Sequence, residues 1–282
     1  MRHASPIVAA LALACGGALP HDPQSEQEDL SAPRATVVLV HGMGGFHVGD
    51  VDYFYRVPQL YQSLGARVFV PATTMFASVE KRAGELKAQL DASKGPLLLV
   101  AHSQGGLDAR WLIAHLGYAG RVLALATIAT PHHGSPVADV ALGLVPGPVQ
   151  DATDALVGLL GWSLEGAREV TVQNMENVFN PSVPDAKGVA YWSFSGRAAP
   201  FAIGAGNGWL HAPLFASWAL LEAEGLASDG IVPEESAHWG RFLGSIPADH
   251  MGEVDQPFGY VPDFEARAFY ASLLRRFREQ GW

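Results

Sequence analysis

The sequence predicts an α/β fold, a mostly parallel central sheet with helices on both faces, and three observations carry that expectation. Short β-branched and leucine-rich runs stop abruptly in turns at Thr36 to Val40 (TVVLV), Pro96 to Val100 (PLLLV) and Arg121 to Thr130 (RVLALATIAT). Segments of helical period lie between such runs, and strands joined through helices run parallel. The runs are almost continuously apolar, as strands covered from both sides must be.

Taken in order, the first twenty residues differ from everything after them. A basic start, Met1-Arg2-His3, leads into an apolar run from Pro6 to Ala14 and then Cys15-Gly16-Gly17. That is the anatomy of an export signal, too short for a membrane span. The stretch Leu11 to Cys15 resembles a bacterial lipoprotein processing site, with Cys15 as the lipidated first residue; ordinary cleavage after Ala12-Leu13-Ala14 is the alternative. Cys15 is the only cysteine, so no intrachain disulfide can form. Residues 21–35 are polar without an apolar period, as a flexible tether would be. The expectation is therefore an exported chain, secreted or lipid-anchored at the cell surface or periplasm, with one folded domain over residues 36–282.

Within that domain Thr36 to Val40 is the first strand and Arg67 to Val70 a second. Val79, Ala83, Leu86 and Leu90 recur at helical spacing among Glu80, Lys81, Glu85 and Lys87, which predicts an amphipathic helix. Pro96 to Val100 is the next strand, followed by a turn at Ala101-His102-Ser103 and a helix through Leu116. Arg121 to Thr130 repeats the pattern, Gly188 to Phe194 supplies a late strand and Phe242 to Ile246 a last one. Asp263 to Phe277 reads as a closing helix with Asp263 as N-cap and Ala266, Tyr270, Leu273 and Phe277 inward.

Composition excludes one class outright. The 18 basic against 28 acidic residues give a formal charge of −10, which offers no attraction to phosphate backbones, so no nucleic-acid partner is expected. No stretch of eighteen apolar residues exists, so no transmembrane helix is expected in the mature chain.

The chemistry centres on Ser103. A serine hydroxyl is a poor nucleophile until a base takes its proton and the backbone presents its oxygen. A strand, a sharp turn and a helix meet at Ala101-His102-Ser103-Gln104-Gly105, with small residues two before and two after the serine. Small size there lets strand and helix approach closely around a strained serine, the geometry of a nucleophile elbow. His41-Gly42-Met43-Gly44-Gly45 after the first strand is a second, independent requirement of that architecture.

These residues resemble the secreted bacterial triacylglycerol lipases of the α/β-hydrolase superfamily. The resemblance runs through VVLVHGMGGF (37–46), VDYF (51–54), AHSQGG (101–106), ATIATPHHGSPVAD (126–139), FNPSVPDAKGVAYWSFSG (179–196), SDGIV (228–232) and DHMGEVDQ (249–256). It implies a serine carboxylic ester hydrolase acting on triacylglycerol or related lipid esters. Chemically open alternatives are an esterase or acyltransferase for another apolar ester, such as a polyester or phospholipid, and a binding protein that has lost the reaction.

Of the eleven histidines, the partner of Ser103 should lie on a loop beyond the last strand, in the order Ser, Asp, His. His250 lies there and the resemblance falls on it; His238, before that strand, is the rival. Asp229, in Ser228-Asp229-Gly230, is the expected acid, the glycine allowing its loop to turn sharply. The resemblance puts the two oxyanion N–H donors on Gln104 and Met43, and matches Arg82 to an arginine that braces the Met43 loop; a solvated arginine is the alternative. His41 is expected to shape its turn, and His132 and His133 to be surface or loop-packing residues, since adjacent histidines point apart.

The segment from Ser135 to about Gly166 carries Val149, Ala152, Leu156, Leu159 and Leu160 at helical spacing. In the family this place holds a mobile lid that meets the lipid interface; a fixed cap is the alternative, and either spans about residues 135–170. Many members also hold a structural calcium near the histidine, with an Asp two residues after it. Here that position is Gly252 and Gln256 matches a position giving only its carbonyl, so no cofactor is expected unless Glu253 or Asp255 substitutes.

Overall fold

A computed structural model describes residues 35–45, 47–48, 51–144, 164–200, 207–256, 259, 261–262 and 264–282. Six parallel strands form the central sheet: β1 (Thr36–Val40), β2 (Arg67–Phe69), β3 (Leu97–His102), β4 (Val122–Ile128), β5 (Ala190–Gly196) and β6 (Arg241–Ile246). Their spatial order is β6-β5-β4-β3-β1-β2, so the chain builds outward from β1 in one direction, then returns to cross over it. Register is set by Val38 opposite Leu99, Val100 opposite Ala126 and Ala126 opposite Trp192. Each expected strand is present, displaced by no more than two residues at most ends.

The alternation of side chains along each strand divides the core in two. Val37, Leu39, Leu98, Val100, Ala126 and Phe194 pack on one face against Tyr61 of α1 (Val57–Ser63) and Tyr270, Leu273 and Phe277 of α7 (Ala266–Glu279). Val38, Val40, Leu97, Leu99 and Leu125 pack on the other against Leu86 and Leu90 of α2 (Val79–Leu90) and Leu112 and Ile113 of α3 (Gln104–His115). Leu39 and Leu99, both fully buried, each contribute about 1.5–3 kcal/mol by the area they remove from water. The expected period of α2 is met: Val79, Ala83, Leu86 and Leu90 are buried, and Ser78 caps the helix by accepting from the amide of Lys81.

Beside short two-stranded ladders and 3-10 turns, the described part holds four shorter helical elements. They are α4 (Pro136–Ala141), α5 (Leu164–Glu169), a helical stretch over residues 172–182 with a π-helical turn at Met175–Phe179, and α6 (Phe215–Ala223). The closing helix starts at Ala266, later than its sequence suggests. Glu265 still has a non-helical backbone, and Val261 and Phe264 plug the core instead of opening the helix. Asp263, the expected cap, lies outside the described residues, as do residues 1–34 and the apolar segment at 149–160. No described helix is long and apolar enough to cross a membrane.

Candidate active site

The site forms at the C-terminal ends of the strands, where β3 turns into α3. Ser103 occupies that turn with φ 55° and ψ −134°, a conformation rare outside glycine that costs about 1–3 kcal/mol. Its neighbours fix the bend: the Ser103 amide donates to Ile128 O, and the Thr130 hydroxyl donates to Ser103 O. Gly105 is obligatory, because a Cβ there would sit 2.5 Å from Val40 O and 2.6 Å from His41 O. The strain is thus held in place by the close meeting of α3 with the end of β1.

The loop after β1 lies against the serine. A Cβ on Gly42 would come within 2.7 Å of Ser103 Cβ, so this glycine lets the loop touch the bend. Arg82 is fully buried and holds the loop, donating to His41 O at 2.7 Å, Gly42 O at 3.3 Å and Thr74 O at 2.8 Å, and pairing through Nε with Asp108 at 2.8 Å. The bracing role, not the solvated one, is what this geometry provides. His41 is also buried, accepts from the Thr73 amide and donates to Gly42 O; burial, then the Arg82 charge, lower it to about 4. It shapes the turn as a neutral ring. Met43 follows in this loop, and Gln104 is the first residue of α3, where an amide has no acceptor within its own helix.

His250 and Asp229 converge on Ser103. The serine hydroxyl lies 3.0 Å from His250 Nε2, and His250 Nδ1 lies 2.7 Å from Asp229 Oδ2. Asp229 is fully buried; its other oxygen accepts from the amides of Ile231 at 2.8 Å and Val232 at 2.7 Å, and the His250 amide donates to its carbonyl. Gly230, at φ 94°, makes the turn that allows this wrap. With the carboxylate an acceptor only, the Nδ1–H tautomer is imposed and Nε2 is left to accept the serine proton.

The other histidines are elsewhere. His238 packs its ring on Phe242, 3.7 Å between centroids. His132 is buried, not a surface residue: it stacks on Trp239 and bonds Thr127, while His133 turns outward.

Three residues beside the site have no part in it on the sequence alone: Tyr53, His102 and Glu253, the last considered only as a calcium ligand. Tyr53 Oη lies 2.7 Å from His102 Nδ1, and His102 Nε2 lies 2.8 Å from Glu253 Oε2. Burial, with the Asp229 and Asp249 charges, pushes Glu253 well above the usual carboxylate range, and burial, with His250, pushes His102 well below the usual imidazole range. Tyr53 and Glu253 sit in blocks that signalled the family, but no local pattern pairs residues so far apart in sequence.

The residues around His250 do not suit calcium. Gly252 brings no side-chain oxygen, and Glu253 is turned to His102. Both oxygens of Asp249 are already engaged, one by the Met251 and Gly252 amides and one by His211. A hard cation needs six or more oxygens, which this loop does not supply.

No family model matches the sequence. A triacylglycerol lipase of Vibrio cholerae is 25% identical, over 90% of this chain and 91% of its own length. Triacylglycerol lipase 2 of Saccharomyces cerevisiae is 27% identical over 73% of this chain and 63% of its own length, and a Pseudomonas fragi triacylglycerol lipase is 33% identical over 45% of each. The chain thus spans less than two thirds of some of these relatives. Among solved structures, mature Bacillus licheniformis lipase BlEst2 superposes with TM-score 0.63 at 20% identity, over 80% of this chain and 88% of that one. Staphylococcus hyicus lipase superposes with TM-score 0.60 at 17% identity, over 92% and 98%. At such identities the structures speak for the α/β-hydrolase fold alone, and in sequence the chain is similar to triacylglycerol lipases.

Proposed function

We propose that the chain is a carboxylic ester hydrolase of the lipase type, with Ser103 as nucleophile, His250 as general base and then acid, and Asp229 as the residue that orients His250. The single observation that carries this reading is the hydrogen-bonded series from Ser103 Oγ to His250 to Asp229, at 3.0 and 2.7 Å, on a serine with φ 55°. Ser103 Oγ attacks the ester carbonyl carbon as its proton passes to His250 Nε2, and the carbonyl π pair moves onto oxygen. The backbone N–H groups of Gln104 and Met43 receive that oxyanion, each contributing about 3 kcal/mol. Collapse expels the alcohol, which takes the proton from His250; water then repeats the sequence and frees the acid.

Lipid esters are the substrate class we infer. The relatives' activity supports it, and so does an apolar cluster that joins Met43 and Met251, each beside a reacting residue, to Val137, Leu142, Leu210, Leu214 and Ile231. A lid or cap over residues 135–170, an export signal over residues 1–20 and a lipid anchor on Cys15 belong to the same reading, on sequence pattern alone. Cys15→Ala should release the protein from membranes if the anchor is real. The decisive experiment is fluorophosphonate labelling: the wild type should be modified at Ser103 and hydrolyse a short-chain ester, and Ser103→Ala should do neither. A folded wild type that takes no label would overturn the proposal.

A further inference from the structure

We propose that Tyr53, His102 and Glu253 are positioning residues for this reaction: a buried strut of hydrogen bonds that ties the Gly42 loop to the acid end of the Ser103–His250–Asp229 series. The inference rests on Ser103 being the nucleophile.

The strut is continuous. The Tyr53 hydroxyl lies beside Gly42, where an added Cβ would come within 2.9 Å of it, and 2.7 Å from His102 Nδ1, while His102 Nε2 lies 2.8 Å from Glu253 Oε2. Glu253 Oε2 is in turn 3.9 Å from His250 Nδ1, the nitrogen that Asp229 Oδ2 meets at 2.7 Å. In the tautomer with its proton on Nε2, His102 accepts from the Tyr53 O–H at Nδ1 and donates to Glu253 Oε2 from its other nitrogen. Both donors then point one way, from the loop toward Glu253, an arrangement in which one bond polarises the next. The His102 ring also lies 4.6 Å from the His250 ring, so it forms a surface on which the imidazole rests.

The protein makes room for this at a cost that mere filling would not require. His102 and Glu253 are fully buried, and apolar side chains could occupy their volume without that desolvation. Any Cβ at Gly196 would overlap Glu253 Oε1 and reach 2.9 Å from Asp229 Cβ, so a glycine is needed to seat the second carboxyl beside the first. The Tyr270 hydroxyl donates to Glu253 O and fixes the backbone from α7.

Charge explains why the second carboxyl does not spoil the base. The titratable groups facing Glu253 are Asp229, Asp249, His102 and His250, with the hydroxyls of Tyr53 and Tyr270. Burial, with Asp229 and Asp249 beside it and no lysine or arginine among these groups, pushes Glu253 well above the usual carboxylate range and favours its neutral form. A neutral Glu253 adds no second negative charge beside the Asp229–His250 pair.

The test is steady-state hydrolysis of a soluble short-chain ester across pH. Tyr53→Phe, which deletes one oxygen, should lower kcat about 10- to 50-fold with KM within about two-fold and the melting temperature nearly unmoved. Glu253→Gln, which keeps a neutral donor and acceptor, should lose less than about five-fold and leave the acidic limb of kcat/KM in place, whereas Glu253→Ala should lose more than about twenty-fold. A Tyr53→Phe enzyme with wild-type kcat would overturn the strut, and so would a Glu253→Gln enzyme whose acidic limb moves down by about one pH unit, because that shift would mark Glu253 as an anion. If the wild type neither hydrolyses ester nor labels at Ser103, the functional reading falls and this inference with it; an active wild type with an indifferent Tyr53→Phe removes the strut alone.

Discussion

Two histidine clusters adjoin helix α3, a front one at its N-terminal end around Ser103 and a rear one at Arg110 within it, and they share histidine but not its partners. In front, His102 and His250 meet Ser103, Asp229 and Glu253. Behind, His132 meets Arg110, which donates to His132 Nδ1 at 3.3 Å, to Asn180 Oδ1 and to Val183 O while its guanidinium lies 3.6 Å over Trp239. The front cluster has carboxyl groups and a strained serine; the rear one has a guanidinium and aromatic rings. A histidine that accepts from Arg110 has no anion to stabilise its protonated form, so burial and that cation hold His132 neutral, well below its ordinary range. What separates the proposed base from a clamp is thus the partner of Nδ1, an acceptor for His250 and a donor for His132.

The sharpest way to break that distinction is at the front. Ser103→Ala should lower kcat about 10⁵-fold while leaving the melting temperature unchanged or raised, since alanine keeps the bend without burying a hydroxyl. Asp229→Asn should follow at about 10⁴-fold, because an amide can donate to Nδ1 and so impose the wrong tautomer. Both are read from kcat on a soluble ester, and a loss below about 100-fold in either would place the base elsewhere.

The front cluster was legible in the sequence largely because its members sit on strongly punctuated turns. Ser103 lies between a buried strand and a helix, and Asp229 precedes a glycine; both signals are local. The strands were legible for the same reason, as continuous apolar runs with abrupt ends. The strut behind the triad was not, since a buried glutamate looks like any surface one until Gly196 and His102 are brought to it from distant strands. For His132 the TPHHG pattern leaves a surface and a loop-packing role open, and the structure gives the second, because Arg110, on a helix, packs against the ring. Likewise the start of α7 depends on Phe264 entering the core, a tertiary preference that overrides the local capping pattern.

The rear cluster should answer in stability instead of rate. Arg110→Ala strips the partners from Asn180, Val183 and His132 and removes the stacking on Trp239. The expected cost is about 3–5 kcal/mol, seen as a lower urea midpoint, with kcat of the folded fraction within about three-fold. A large fall in kcat at full folding would mean that the clamp transmits to Ser103 through α3.

The smallest effect is the most diagnostic, because it reads the charge state of His132 directly. His132→Asn keeps an acceptor for Arg110 but loses the bond to Thr127 and the stack on Trp239, at a cost of about 2 kcal/mol at pH 7.5. Above pH 6.5, the ordinary imidazole value, both folded and unfolded wild type carry a neutral ring at this position, so its titration contributes nothing to the balance. Below that value only the unfolded chain takes up the proton, and the wild type loses stability with falling pH. Asparagine carries no such proton. The gap between variant and wild type should therefore close as the pH drops, by about 2 kcal/mol at pH 5, which urea unfolding at the two pH values would measure. A gap that stays constant would mean that His132 titrates in the fold as it does in the unfolded chain, and the rear cluster would then be holding a charge that its partners give it no reason to hold.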